Sequence, residues 1–78
     1  MKQILSKRIE INSKIMAGKP IIKGTRIPIY LIVKLLAQGI TPKEILEDYP
    51  ELKKEDIMAA LEYVSELLNK EEIFSATE

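Results

Sequence analysis

The spacing of apolar residues changes along this chain, and each change marks a predicted element. Within Ile4 to Ile11, Ile9 and Ile11 alternate around Glu10, the period-two signature of a short strand. Asn12 to Lys19 is turn-like, with Gly18 near its end, and Pro20 to Lys23 predicts a second short strand closed by Gly24. The two strands could form a hairpin or pair with another chain, and an isolated hairpin is marginally stable. Pro28 predicts the first residue of a helix that runs to about Gln38 and is ended by Gly39. Thr41-Pro42-Lys43-Glu44 predicts a second start: Thr41 as cap, Pro42 at the first helical position and Glu44 completing a capping box. Pro50 stops that helix near Asp48 or Tyr49. A third helix is predicted over about Lys54 to Lys70, with Ile57, Ala60, Leu61, Val64, Leu67 and Leu68 on one apolar stripe.

A short second helix, a tight turn and a longer third helix have the proportions of a helix-turn-helix unit over Thr41 to Leu61, with Ile45 and Leu46 packing inward against Ile57 and Leu61. The first helix, Ile29 to Ala37, is apolar nearly all round, whereas a surface helix of a small monomer shows a polar face. Such a helix is either central to the core or covered by a second subunit. A chain of 78 residues buries only ~60–65% of its unfolded surface. The second alternative is therefore the expectation, a homodimer whose seam holds Ile29, Ile32, Val33 and Leu36.

The chain is expected to be a single domain, 1–78: a β element and basic loop over 1–27, a three-helix core over 28–70 and a tail over 71–78. Hydrophobic residues make up 46% of it, too many for disorder. It contains no cysteine and no histidine, so no disulfide, metal site or cofactor is expected. Met1 to Glu10 lacks the apolar core of a signal peptide, and the longest apolar stretch, Ile27 to Ala37, is broken by Pro28 and Lys34. The expectation is a cytoplasmic protein without membrane association. The formal net charge of zero hides a strong separation. Residues 1–34 carry eight bases and one acid, eight minus one giving +7; residues 35–78 carry four bases and eleven acids, four minus eleven giving −7. A basic half suits a polyanion and an acidic half suits a basic protein.

Candidate chemistry concentrates in Gly18-Lys19-Pro20-Ile21-Ile22-Lys23-Gly24-Thr25-Arg26-Ile27-Pro28. A phosphate-cradling loop needs glycine, lysine and a hydroxyl residue in that order, and here the order is Lys23-Gly24-Thr25, so nucleotide hydrolysis is excluded. Gly18, Gly24, Pro20 and Pro28 serve turns and stiffness. Lys19, Lys23 and Arg26 on that stiff segment could hold a phosphate backbone, or Arg26 could pair with an acid of the second half. The third helix starts Lys53-Lys54-Glu55-Asp56, and base-reading helices present Arg, Lys, Asn or Gln. Glu55 and Asp56 are better read as acids favouring the helix dipole. DNA contact is then expected mainly from the basic first half, as a β-ribbon. Most carboxylates look like exposed helical positions, and no catalytic residue is expected.

Several motifs occur in order: Gly18-Lys19-Pro20-x-Ile22-x-Gly24-Thr25-Arg26-Ile27-Pro28, Leu36-Ala37-x-Gly39, Glu44-Ile45-Leu46-x-Asp48-Tyr49-Pro50-x-Leu52 and Glu55-Asp56-Ile57-x-Ala59-Ala60-Leu61-x-Tyr63. From about Ile9 to Tyr63 the chain resembles the domain-of-unknown-function family numbered 433. The resemblance implies a mainly α fold, a homeodomain-like or winged-helix-like three-helix core with a short N-terminal β element. It also implies a likeness to VapB-type antitoxins, which bind their own operon DNA and neutralise a PIN-like ribonuclease toxin. DNA contacts are then expected from Lys19, Lys23, Arg26, Lys53 and Lys54. Lys53 stands where the family usually has Thr or Ser, and so removes a cap from the third helix or adds a cation near DNA. In the tail, Ile73 and Phe74 follow two acids and could anchor a partner groove. The rival function is a protein-interaction or dimerisation module without DNA binding.

Overall fold

The computed structural model describes residues 7–71. Two short strands, β1 (Ile9–Glu10) and β2 (Ile21–Ile22), pair antiparallel with Ile9 opposite Ile22 and Glu10 opposite Ile21. Three helices follow: α1 (Ile29–Ala37), α2 (Pro42–Asp48) and α3 (Lys54–Glu71). Each helix packs on the other two. Among the described residues no helix is long and apolar enough to cross a membrane.

Local chemistry sets the boundaries. Pro28 is the cap of α1 rather than its first residue, with extended backbone at φ −76° and ψ 151°. At the other end Gly39 adopts φ 90°. Its N–H donates to the Leu36 carbonyl (3.0 Å) and that of Ile40 to the Leu35 carbonyl (3.0 Å), the paired bonds of a Schellman stop. The capping box of α2 is complete: the Glu44 N–H donates to Thr41 Oγ1 (3.2 Å) and the Thr41 N–H to Glu44 Oε1 (2.9 Å). Between the strands the chain turns through left-handed backbone at Met16 (φ 52°), Ala17 (φ 56°) and Gly18 (φ 82°).

The core gathers Ile9 and Ile22 from the strands, Ile27 before α1, Ile29 and Ile32 from α1, Ile45 from α2, Leu52, and Ile57, Ala59 and Ala60 from α3. This corrects the expected dimer seam. Ile29 (2% exposed) and Ile32 (1%) are buried by the chain's own strands and helices, and Val33 and Leu36 are half-buried against the same core. The helix is apolar nearly all round because it is the central element. Leu61, expected to pack inward, is exposed, while Ala59, absent from the predicted stripe, is buried. Ile11 lies beyond β1 and is exposed.

Candidate functional site

The basic segment folds into a tight hairpin between β2 and α1. The Ile22 N–H donates to the Ile27 carbonyl (3.0 Å), and the Ile29 N–H to the Pro20 carbonyl (2.9 Å). Inside the turn the Thr25 hydroxyl donates to the Ile22 carbonyl (2.8 Å) and accepts from the Ile27 N–H (3.0 Å). Gly24, at φ 85°, supplies the left-handed residue that closes the turn. The Lys23 N–H donates to the Arg8 carbonyl (2.7 Å), which fastens the loop to the segment entering β1. Thr25 is thus an internal clamp, and Lys23 and Arg26 on either side of Gly24-Thr25 are exposed. A turn fixed by its own hydrogen bonds avoids the backbone ordering cost of contact, while the two long side chains still give up rotamer freedom.

The other predicted DNA contacts are placed differently. The Lys19 ammonium lies 5.2 Å from the centre of the Tyr30 ring, a cation–π contact, and so belongs to the start of α1 rather than to the turn. Lys53 and Lys54 are exposed where α3 begins. Ile73 and Phe74 lie outside the described residues.

Acid–base pairing at α3 departs from expectation. Asp56 is 6% exposed, and its Oδ1 accepts from Arg8 Nη1 at 2.8 Å. Its Oδ2 accepts from the Lys53 N–H at 2.8 Å. The second bond is half of a capping box, made by the third residue of the helix and lacking only the hydroxyl that Lys53 cannot supply. Asp56 is therefore a buried bracket between the N-terminal segment and α3, not a solvated dipole acid. Among the described residues this is the one ion pair, which leaves Lys19, Lys23 and Arg26 without a carboxylate partner there. Sequence reasoning missed Arg8 because its partner is 48 residues away. The signal that could have found Asp56 is its position three residues after Lys53, the cap position of α3, where a capping-box acid belongs.

Two further surfaces stand out. Glu55, Glu62 and Glu66 are exposed and lie within roughly 40° of one another around α3, an acidic stripe opposite Val64. Between the start of α1 (Ile29, Tyr30) and α3 (Tyr63, Val64, Leu67) runs an almost wholly apolar groove of about 270 Å³, with Lys19 also lining it. Among the described residues no three His, Cys, Asp or Glu side chains gather as a metal-holding set.

The fold and site define a small, mainly helical protein that carries a basic hairpin at one sheet edge and an acidic stripe on its last helix. The chain belongs to the family described as "Protein of unknown function (DUF433)", which it matches over residues 9–64, from β1 to the middle of α3. It is similar to a crystal structure of a DUF433 member from Anabaena variabilis, with a TM-score of 0.74 and 36% identity over 90% of this chain and 72% of that one. It is 37% identical over 49 residues to the uncharacterized protein y4eO of Sinorhizobium fredii, covering 63% of this chain and 22% of y4eO. An uncharacterized protein of Archaeoglobus fulgidus is 54% identical over 28 residues, 36% of this chain and 78% of that protein. The chain thus spans about a fifth of the length of y4eO.

Proposed function

We propose that this protein is an antitoxin-like regulator that binds duplex DNA of its own operon as a homodimer and neutralises a PIN-like ribonuclease toxin. One observation carries the DNA half: Lys23 and Arg26 are exposed on a turn locked by Thr25 and have no carboxylate partner among the described residues. Cations on a rigid hairpin suit phosphate contact, with the β element as the docking edge. In this reading α2 and α3 form the homeodomain-like helix-turn-helix. Burial of Asp56 against Arg8 supports it, because one of the two acids at the start of α3 is neutralised and turned inward, leaving Lys53 and Lys54 against Glu55. The acidic stripe of Glu55, Glu62 and Glu66 suits the basic RNA-binding cleft of a nuclease.

The test is titration of the protein against a duplex from upstream of its gene, beside a scrambled duplex, at two salt concentrations. Preference for the upstream duplex is expected, weakening steeply with salt. Lys23→Ala and Arg26→Ala should each weaken binding and lower the salt slope by about 1. Unchanged affinity in both variants would remove the hairpin from the interface. No binding at low salt would leave the second reading, a protein-interaction module, which the apolar groove and the acidic stripe favour.

A further inference from the structure

We propose that the Arg8–Asp56 pair is a positioning device for nucleic-acid contact. It locks the start of α3 to the basic hairpin, so that Lys23 and Arg26 from one and Lys53 and Lys54 from the other form a single phosphate-binding surface for duplex DNA. This rests on the DNA reading above and deepens it by naming two residues that act without touching the nucleic acid. Its test compares variants within DNA binding, so the reading and the pair can fail separately.

Little else fixes the hairpin relative to α3. The strands pair with each other and the helices pack on one another, but neither strand runs closely alongside α3. Ile9 and Ile22 reach the shared core through apolar side chains, a contact that is non-directional. Among the described residues the Arg8–Asp56 pair is the one polar tie between the β element and α3. Its bonds run in series. The Lys23 N–H donates to the Arg8 carbonyl (2.7 Å), Arg8 Nη1 donates to Asp56 Oδ1 (2.8 Å), and the Lys53 N–H donates to Asp56 Oδ2 (2.8 Å). One arginine and one carboxylate thus join the two lysine nitrogens of the backbone by a path of at most roughly 20 Å. Both ends of the path carry exposed cations, Lys23 with Arg26 and Lys53 with Lys54. The major groove of B-DNA is ~12 Å wide, so two cation pairs so spaced can meet phosphates bordering one groove.

The sign of one substitution separates positioning from charge. Asp56→Asn removes a negative charge beside the cations, which by itself tightens binding to a polyanion. The same change breaks the relay. The two carboxylate oxygens of Asp56 face two donors, Arg8 Nη1 and the Lys53 N–H. A carboxamide has one acceptor oxygen, and its NH2 then faces the other donor. The helix-start bond to Lys53 can survive that exchange, whereas the tie to Arg8 is lost with it. Weaker binding by a folded, less acidic protein therefore reports lost alignment rather than lost attraction.

Fluorescence-anisotropy titration of the full chain against the duplex from upstream of its gene tests this, at about 50 to 200 mM salt. The temperature is one at which circular dichroism shows each variant folded. Asp56→Asn should weaken binding about tenfold and lower the salt slope by about 2, the share of Lys53 and Lys54. Replacing Lys53 and Lys54 together by alanine should lower the slope by the same amount in the native background, and by nothing further beside Asp56→Asn. Both lysines are exposed, so this arm does not depend on tolerance of a buried change. Equal or tighter binding by Asp56→Asn would overturn the positioning role and leave the DNA reading standing. An unchanged slope without the two lysines, or an equal loss in both backgrounds, would do the same. No binding by the unaltered chain at low salt would overturn the DNA reading and the positioning role with it.

Discussion

Replacing Asp56 by alanine should be among the most damaging single changes to a charged residue in this protein. Two bonds of 2.8 Å are lost at once, one to the Arg8 guanidinium and one to the Lys53 N–H. The second is a helix-start bond, worth about 0.5–2 kcal/mol when removed. Breaking a fully buried ion pair costs about 3–5 kcal/mol because the abandoned partner stays uncompensated. Arg8 is 33% exposed and regains water, so its share falls well below that, to about 1 kcal/mol. The sum is about 1.5–3 kcal/mol. A domain of this size has about 4–12 kcal/mol in all, so the urea midpoint should fall by roughly an eighth to three quarters of its value. Asp56→Asn keeps an acceptor for the Lys53 N–H and loses the ionic part, so its cost should be about half as large. A cycle with Arg8→Met isolates the pair. Because Asp56 is buried, the coupling should persist at 0.5 M salt, where surface pairs are screened. A loss below about 0.5 kcal/mol for Asp56→Ala would refute the bracket.

Ile32→Ala should cost about 2–5 kcal/mol in a urea melt, since the side chain is 1% exposed in the core. Ile32→Asp should show no cooperative transition at all, and a folded monomer would instead restore the subunit seam expected from the pattern of α1. Ala17→Gly should raise stability by about 0.5–1 kcal/mol, because alanine at φ 56° pays a left-handed penalty that glycine does not. A lowered melting temperature for that variant would show that the turn is not strained there.

The helices were legible because their punctuation is chemical and local. Thr41, Pro42 and Glu44 announce α2 within four residues, and Gly39 announces the end of α1, so both readings hold to within a residue or so. The role of α1 was not legible, since an all-apolar nine-residue helix has the same sequence whether its own chain or a partner covers it. Only the return of α3, with Ala59 and Ala60 keeping its inner surface low beneath the core isoleucines, decides in favour of the chain itself. Leu61 was misplaced for a related reason. Apolar spacing gives the direction of a stripe, but the buried set Asp56, Ile57, Ala59 and Ala60 shows that the core lies to one side of it.

The site was half legible, and the missing half alters the meaning of the charge pattern. Read linearly, a +7 segment and a −7 segment look like two independent docking surfaces. Folded, they are joined at Arg8 and Asp56, so one cation of the basic segment and the buried acid of α3 neutralise each other. What stays outside is sorted more sharply than the totals suggest: Lys23 and Arg26 on a clamped turn, Glu55, Glu62 and Glu66 on one face of α3, and an apolar strip between α1 and the overhang of α3. The family match stops at Val64, where α3 leaves the body, while Leu67 and Leu68 lie beyond it. The hairpin, its clamp and the buried carboxylate fall within the residues that match the family model, whereas Leu67 lies past the end of that match. Substitutions in the hairpin therefore test residues that the family match covers, with Lys23 and Arg26 held by the same Thr25 clamp.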